Sequence, residues 1–319
     1  MALLTRMTFD EARDLSGQFG LDLARVEPLV LGSVNSNFRF TVASGAAYFA
    51  RIYEEQGFDG ARTELQALST LAAEGVPVVR PLRTRDGALL VDFQGKPSAI
   101  FPWVHGDWLC LQRVNVEHCK KLGAALAQVH HSPSKVGPLP LGRFRPEDML
   151  ERLDRAEPEL PRLSPEIARI RSGYARYLER RTSLPHGVCH GDLFRDNVLW
   201  NGQGEICALL DFESVSQGPF VYDLMVTALA WCFTDTLLLS HVRALFEGYA
   251  GARRPSAEER RALEVEGALA CLRFATTRIT DFELRTPPGE LPARSFRRFL
   301  ERLEVLESGV LESVRECLA

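Results

Sequence analysis

The chain has 319 residues, 45% of them hydrophobic and 25% charged, with a formal net charge of −4. That length holds one large or two modest domains with an ample core. The negative balance argues against nucleic acid or an acidic membrane as the main partner, while leaving room for a local basic pocket for phosphates.

Thr8-Phe9-Asp10-Glu11 is a capping-box pattern and predicts a short helix that stops at Gly20. Strands are predicted over 26–31, 37–42 and 47–53, punctuated by Gly32-Ser33 and Ser44-Gly45. Leu65, Leu68, Leu71 and Ala72 give a helix over 60–74 one apolar face, and Gly75 with Pro77 ends it. Two further strands flank Arg85-Asp86-Gly87 as a hairpin, and Gln94-Gly95-Lys96 turns into a strand over 98–104. Residues 1–104 therefore read as a β-rich domain: an antiparallel sheet with one inserted helix.

The character changes after His105-Gly106-Asp107. Helical patterns dominate, over 116–130, 146–155, 165–181, 220–233, 236–249, 257–282 and 295–317, with strand and loop only around 188–211. Residues 105–319 read as a mainly helical domain. The fold class is α+β, a small antiparallel β-sheet lobe followed by a larger, mainly helical lobe.

Seven cysteines are scattered without a CxxC pair, and they read as free thiols of a reducing compartment rather than disulfide partners or zinc ligands. The N-terminus lacks the apolar run of a signal peptide. The richest apolar stretch, 222–239, is broken by Asp223 and Asp235 and falls short of the roughly 18 apolar residues of a membrane span. A cytoplasmic protein is expected; its oligomeric state is left open.

The most informative stretch is His190-Gly191-Asp192-Leu193-Phe194-Arg195-Asp196-Asn197, followed by Ala208-Leu209-Leu210-Asp211-Phe212. Asp192, Asn197 and Asp211 are spaced by five and then fourteen residues, the first two on a polar loop and the third after an apolar, strand-like run. Phosphoryl transfer needs this set. One carboxylate takes the proton of an attacking hydroxyl, while an amide oxygen and a second carboxylate hold Mg²⁺ on the phosphates of ATP. An oxygen site without Cys or His suits Mg²⁺ or Mn²⁺. Arg195 either neutralises the moving phosphoryl group or pairs with Asp196 or another nearby acid. His190 reads as a buried brace of the loop rather than a proton shuttle. Asp223 is expected to hold the loop by hydrogen bonds.

Nucleotide contacts are expected in the first part of the chain. Ser33, Asn35, Ser36 and Asn37 lie in a turn whose backbone N–H groups and small polar side chains can cradle phosphates, although by itself it is an ordinary hairpin turn. It contains neither GxxxxGK[ST] nor a full GxGxxG. Arg51 ends the third strand and Glu64 sits on the next helix; paired, they would fix the α- and β-phosphates, and the alternative is a surface cation. Phe101 and Trp103, in the segment joining the two parts, offer backbone and apolar surface to an adenine, or are plain linker.

Taken together, His190-Gly191-Asp192 with Asn197, and Leu210-Asp211-Phe212-Glu213, resemble the aminoglycoside phosphotransferase and choline kinase superfamily. That resemblance implies a two-lobe, protein-kinase-like fold and an ATP-dependent kinase that phosphorylates a hydroxyl of a small metabolite. Val34-Asn35-Ser36-Asn37-Phe38, Asp192 through Leu199, Tyr222-Asp223-Leu224, and Leu272-Arg273-Phe274 through Asp281 are most similar to bacterial homoserine kinases of the phosphotransferase type. The resemblance implies Asp192 as base, Asn197 and Asp211 as Mg²⁺ ligands, Arg51 with Glu64 at the phosphates, and L-homoserine as acceptor, a step of threonine biosynthesis. The chain departs from that pattern in having Gly191 where those kinases usually have alanine, and Arg51 where they often lack a base. Arg285-Thr286-Pro287-Pro288-Gly289 only approximates their Pro-Arg-Pro-Gly. An amino-acid acceptor needs a cation and an acid, and Glu213, Arg278 and Asp281 are the candidate contacts; a helix salt bridge between Arg278 and Asp281 is the alternative. The rivals are a related kinase for an aminoglycoside, a choline-like alcohol, methylthioribose or a protein serine, and a nucleotide-binding pseudokinase. A metal-dependent phosphohydrolase would need more histidine and carboxylate ligands.

Overall fold

A computed structural model describes residues 4–30, 34–131, 139–142, 144–287 and 290–318. The chain divides into two compact units. The first comprises the described residues through Asp107 together with Leu199–Glu213; the second comprises most of 108–198 and everything from Ser214 onward.

In the first unit, helix α1 (Phe9–Gln18) starts on the predicted box: Thr8 Oγ1 accepts from Glu11 N at 3.3 Å and Glu11 returns the bond to Thr8 N at 2.7 Å. Strands β1 (Leu23–Leu29), β2 (Ser36–Val42), β3 (Ala47–Ile52), β4 (Val91–Phe93) and β5 (Lys96–Pro102) form one antiparallel sheet in the order β1-β2-β3-β5-β4. Ala12, Leu15 and Phe19 of α1 and its end share a core with Phe38, Phe40, Ala50, Ile52, Phe93 and Ile100 of the sheet. Helix α2 (Phe58–Ala73) buries Ala61, Glu64, Leu65, Leu68 and Leu71, a stripe at three- and four-residue spacing that contains one acid. Gly75, at φ +81°, then lets Val76 N reach Leu71 O at 3.1 Å and closes the helix.

The hairpin joining β4 and β5 is at Gln94-Gly95, a two-residue turn with φ +54° and +80° between Phe93 and Lys96. Of the two strands expected to flank Arg85-Asp86-Gly87, the second forms as β4, whereas the first does not form. That segment is a turn closed by Thr84 N to Ala88 O at 2.8 Å, and before it Pro77 and Pro81 lack the N–H that a ladder requires.

The second unit is mostly helical: α3 (Val116–His131), α4 (Pro146–Ala156), α5 (Ser164–Arg180), α6 (Phe220–Trp231), α7 (Leu239–Ala252), α8 (Ala257–Arg261), α9 (Leu263–Arg278) and α10 (Arg297–Glu307). Strand β6 (His186–Cys189) pairs antiparallel with β9 (Ser216–Pro219), while β7 (Val198–Trp200) pairs with β8 (Ile206–Leu209) where the chain passes between units. The expected helix over 257–282 is interrupted at Ala262, and it ends in a π turn, Ile279–Glu283. The helix expected to reach 317 stops at Glu307, because Gly309 adopts φ +78°. The seven cysteines are free thiols. Among the described residues no helix is long and apolar enough to cross a membrane.

Helix α9 is buried around almost its whole circumference and packs against α4, α5, α6 and α10. Its buried acid, Glu266, takes a two-pronged ion pair from Arg181 at 2.8 Å on each side. Helices α3 and α7 approach through glycines. A Cβ on Gly248 would stand 1.9 Å from Lys120 O, and one on Gly123 would stand 2.0 Å from Leu245 O. Gly248→Ala must push two backbones apart, so we expect a loss of roughly 2–3 kcal/mol. Thermal unfolding should show a melting point several degrees lower; an unchanged melting point would mean that the helices are not in this contact.

Candidate active site

After β6 the chain bends at Gly191, at φ +76°, where a Cβ would lie 3.2 Å from Ser214 O. Asp223, in the first turn of α6, holds this bend from beneath. Its two oxygens accept from His190 N at 2.6 Å and Gly191 N at 2.8 Å, and its Oδ2 lies 3.1 Å from His130 Nε2. His130 Nδ1 is in turn 2.6 Å from the Tyr249 hydroxyl. Burial works against the Asp223 charge, yet His130 and the backbone N–H groups hold its carboxyl below the usual range. Burial likewise keeps His130 neutral by pushing its imidazole down. These groups, with Cys189, are a buried His-Cys-Asp cluster in which the histidine and the aspartate already serve each other and the loop.

The loop itself is tied down residue by residue. Fully buried His190 braces it as expected, accepting from Asp192 N at 3.2 Å through Nδ1. Asn197 Nδ2 donates to Asp192 O at 2.8 Å, closing the loop on itself. Trp231 Nε1 donates to Leu193 O at 2.9 Å and Arg195 donates to Ala230 O at 2.7 Å, so two side chains bind the loop to the C-terminal end of α6. Asp192 remains 34% exposed, and its Oδ1 lies 3.3 Å from Arg273 of α9.

Two pairings left open as alternatives do not form. The hydrogen bond of Arg195 goes to a helix-end carbonyl, where cations are favoured, while Asp196 pairs with Arg294 at 3.4 Å. Arg278 and Asp281 do not pair with each other, because the π turn takes Asp281 off the α-helical face of Arg278. Asp281 pairs with Arg152 at 3.2 Å, and Arg278 donates to Ser295 O at 2.8 Å with its guanidinium over the Phe299 ring. Burial, and then Arg302, Arg294 and Arg298 around it, push Arg278 down to about 9.

In the first unit the buried acid of α2 finds its partner. Arg51 on β3 lies 3.6 Å from Glu64, 3.5 Å from Asp211 and 3.2 Å from Glu213, all through one terminal nitrogen. Its buried Nε has no hydrogen-bond partner. Burial opposes the charge of Arg51, but Asp211, Glu213 and Glu64 more than offset it and hold the guanidinium above its ordinary value. Three carboxylates against one cation leave surplus negative charge. The most enclosed of them, Glu64, is pushed up to about 8 by burial, with Glu213 and Asp211 repelling it and Arg51 pulling it back. Asp211 sits at φ +63°, a left-handed conformation rare outside glycine, and keeps its side chain 39% exposed.

Glu213, expected at the acceptor, is turned instead to Arg51 and to Asn35 Nδ2. The side chains expected to cradle phosphates are largely committed inside this unit. Asn35 Oδ1 also accepts from Glu54 N at 3.1 Å, and Asn37 Nδ2 donates to Asn35 O at 3.3 Å. Ser36 Oγ accepts from Leu4 N and Thr5 N at 3.0 and 2.9 Å and donates to Glu54. Ser33 lies outside the described residues. Phe101 packs on Phe49 with centroids 6.1 Å apart, and Trp103 carries the Arg39 guanidinium over its ring at 4.9 Å. Arg273 was overlooked as a site residue. Its signal is a single cation inside the apolar run 267–275, which has to meet an acid somewhere in the fold.

The model of a family described as "Phosphotransferase enzyme family" matches residues 25–255. The chain belongs to this phosphotransferase family. Curated relatives include a homoserine kinase of Bradyrhizobium diazoefficiens, 31% identical, and one of Nitrobacter winogradskyi, 32% identical; each alignment covers 91% of this chain and 90% of the relative. Among solved structures, an amicoumacin kinase in complex with AMP-PNP and Ca²⁺ is similar with a TM-score of 0.71 at 16% identity, covering 96% of this chain and 94% of that one. The α+β, kinase-like fold class expected from the resemblance is therefore the fold of this phosphotransferase.

Glu64 yields a pH test of the Arg51 cluster. Its folded value, about 8, stands above the ordinary 4.5, so the stability it contributes is complete below pH 4.5 and is lost as pH rises through 8. Glu64→Gln removes that dependence. The melting temperature of the variant minus that of the parent should therefore rise between these two pH values, measured without nucleotide. A difference independent of pH would show that Glu64 is ionised throughout.

Proposed function

We propose that this phosphotransferase moves the γ-phosphoryl group of ATP to the side-chain hydroxyl of L-homoserine, a cytoplasmic step of threonine biosynthesis. The observation that carries the acceptor is that relatives named homoserine kinase align along 91% of this chain and 90% of their own length. A second observation favours an acceptor bearing a carboxylate: Arg278 lies in the field of Arg294, Arg298 and Arg302, with Asp192 in range of it. Such a surface attracts an anionic group and repels the polycationic acceptors of a wide acidic site.

Asp192 is the base in this reading. It takes the acceptor hydroxyl proton as the oxygen–phosphorus bond forms, the bond from the γ-phosphorus to the bridging oxygen breaks, and ADP leaves. Asp223, accepting from His190 N, and Asn197 and Trp231, donating to loop carbonyls, hold Asp192 in place, so little reorganisation accompanies the step. Arg51, fixed by Glu64 and Glu213, meets the phosphates of the nucleotide.

The residues present fit Mg²⁺. Asp211 offers an exposed carboxylate in a cluster that is short of positive charge, and Asn197, with its nitrogen committed to Asp192 O, offers an amide oxygen. When bound, the ion neutralises charge on the phosphate oxygens. Asn35, Ser36, Asn37, Phe101 and Trp103 belong to the nucleotide side in this reading, contributing backbone and support, with the Ser36 hydroxyl already engaged; Ser33 is assigned with them from the sequence. Asp281, held by Arg152, belongs to the acceptor side with Arg278.

ADP release from Mg-ATP, measured across L-homoserine, L-serine, L-threonine, choline, methylthioribose and kanamycin, tests the proposal. Saturable turnover is expected on L-homoserine. Asp192→Asn should lower it by roughly 10²–10⁴ with nucleotide affinity nearly intact, and Asp211→Ala should weaken Mg²⁺-dependent nucleotide binding. Turnover on another member of the panel and none on homoserine would replace the acceptor, whereas parental activity in Asp192→Asn would remove the base.

A further inference from the structure

Arg273 occupies a stretch of α9 in which every residue from Val265 to Thr277 is buried and most are apolar. A guanidinium in that position is costly unless it is paired. It is itself 4% exposed, and its Nε is buried without a hydrogen-bond partner. What it does engage is specific. One terminal nitrogen lies 3.3 Å from Asp192 Oδ1 and 3.4 Å from Gly191 O. Its planar group is clamped between the rings of Phe144 and Phe274, at 4.0 and 3.8 Å. The next residue extends the grip: Phe274 meets Phe194 of the loop edge-on, with centroids 5.0 Å apart, and stacks on Phe299 at 4.9 Å. Two consecutive residues of a rigid central helix thus hold the loop at two points, the carboxylate of Asp192 and the ring of Phe194.

We infer that Arg273 is the positioning residue of the Asp192 carboxylate, fixing Oδ1 so that the group faces the acceptor hydroxyl in one orientation. The inference rests on Asp192 being the base, as proposed above. A side chain locked between two rings transmits its own rigidity to the partner that it binds, and a misplacement of about 1 Å at a reacting group can cost 10²-fold in rate. Arg273 does not touch the transferred group in this reading; it acts through Asp192.

A double-mutant cycle separates this role from mere support of the loop. Arg273→Met, Arg273→Lys and Asp192→Asn are made singly, and each Arg273 variant is combined with Asp192→Asn. Turnover is measured with the acceptor identified by the hydroxyl panel, alongside KM for Mg-ATP and thermal unfolding. Arg273→Met should lower kcat by roughly 10–100-fold, with KM for Mg-ATP within about twofold of the parent, and should add no further loss in the Asp192→Asn background. Arg273→Lys, which keeps the charge, should lose less. If Arg273→Met unfolds the chain, the Lys variant carries the same cycle. Parental kcat in the Arg273 variants, equal losses in Met and Lys, or the same fold-loss with and without Asp192 would each overturn the inference. A fully active Asp192→Asn would instead remove the base assignment, and this inference with it; an inactive Asp192→Asn beside an unaffected Arg273→Met removes this inference alone.

Discussion

The structure around the candidate base depends on one buried carboxylate. Asp223 has no contact with solvent, and it keeps its charge because two backbone N–H groups of the loop and the imidazole of His130 converge on it. An ionised group in that setting cannot lose a partner cheaply, since a buried charge left unpaired costs several kcal/mol. The loop is therefore held in one conformation by the acid beneath it. The polar chain from Tyr249 through His130 to Asp223 links α3, α6 and α7 to the two residues that precede Asp192.

The Arg51 cluster solves the opposite problem. There the acids outnumber the cation, and the surplus is borne by lifting Glu64 toward its neutral form while Asp211 stays at the surface. Such an arrangement is poised for a ligand that brings positive charge. The same surplus explains why Arg51 makes three moderate contacts through a single nitrogen instead of one two-pronged bond. Its geometry is a compromise among competing acids.

Much of this was legible in the chain, and the reasons are local. The capping box at Thr8, the glycine closing α2 and the spacing of Asp192, Asn197 and Asp211 each depend on residues close together in sequence. Their meaning survives without knowledge of what lies across the fold. Arg273 was different. It is 81 positions from Asp192, and nothing in its neighbourhood names the acid that it meets. Arg195 and Asp281 show the converse: proximity in sequence suggested Asp196 and Arg278 as partners, but a helix-end carbonyl and a distant arginine took them. The proline-interrupted segment before Arg85 and the breaks at Ala262 and Gly309 follow from backbone chemistry that apolar periodicity alone overrides too readily.

The backbone of Asp211 has a consequence for what this position tolerates. Holding a residue with a Cβ in the left-handed region costs on the order of 1–3 kcal/mol, and glycine there relieves the strain while deleting the carboxylate. Asparagine, which also enters that region readily, relieves part of it and leaves a neutral oxygen in a cluster with too many acids. Both replacements ease the apo chain, one through its backbone and the other also through its charge. Selection for stability alone would therefore drift away from aspartate at this position. A chain that keeps Asp211 carries a standing folding handicap, of backbone strain and surplus charge together.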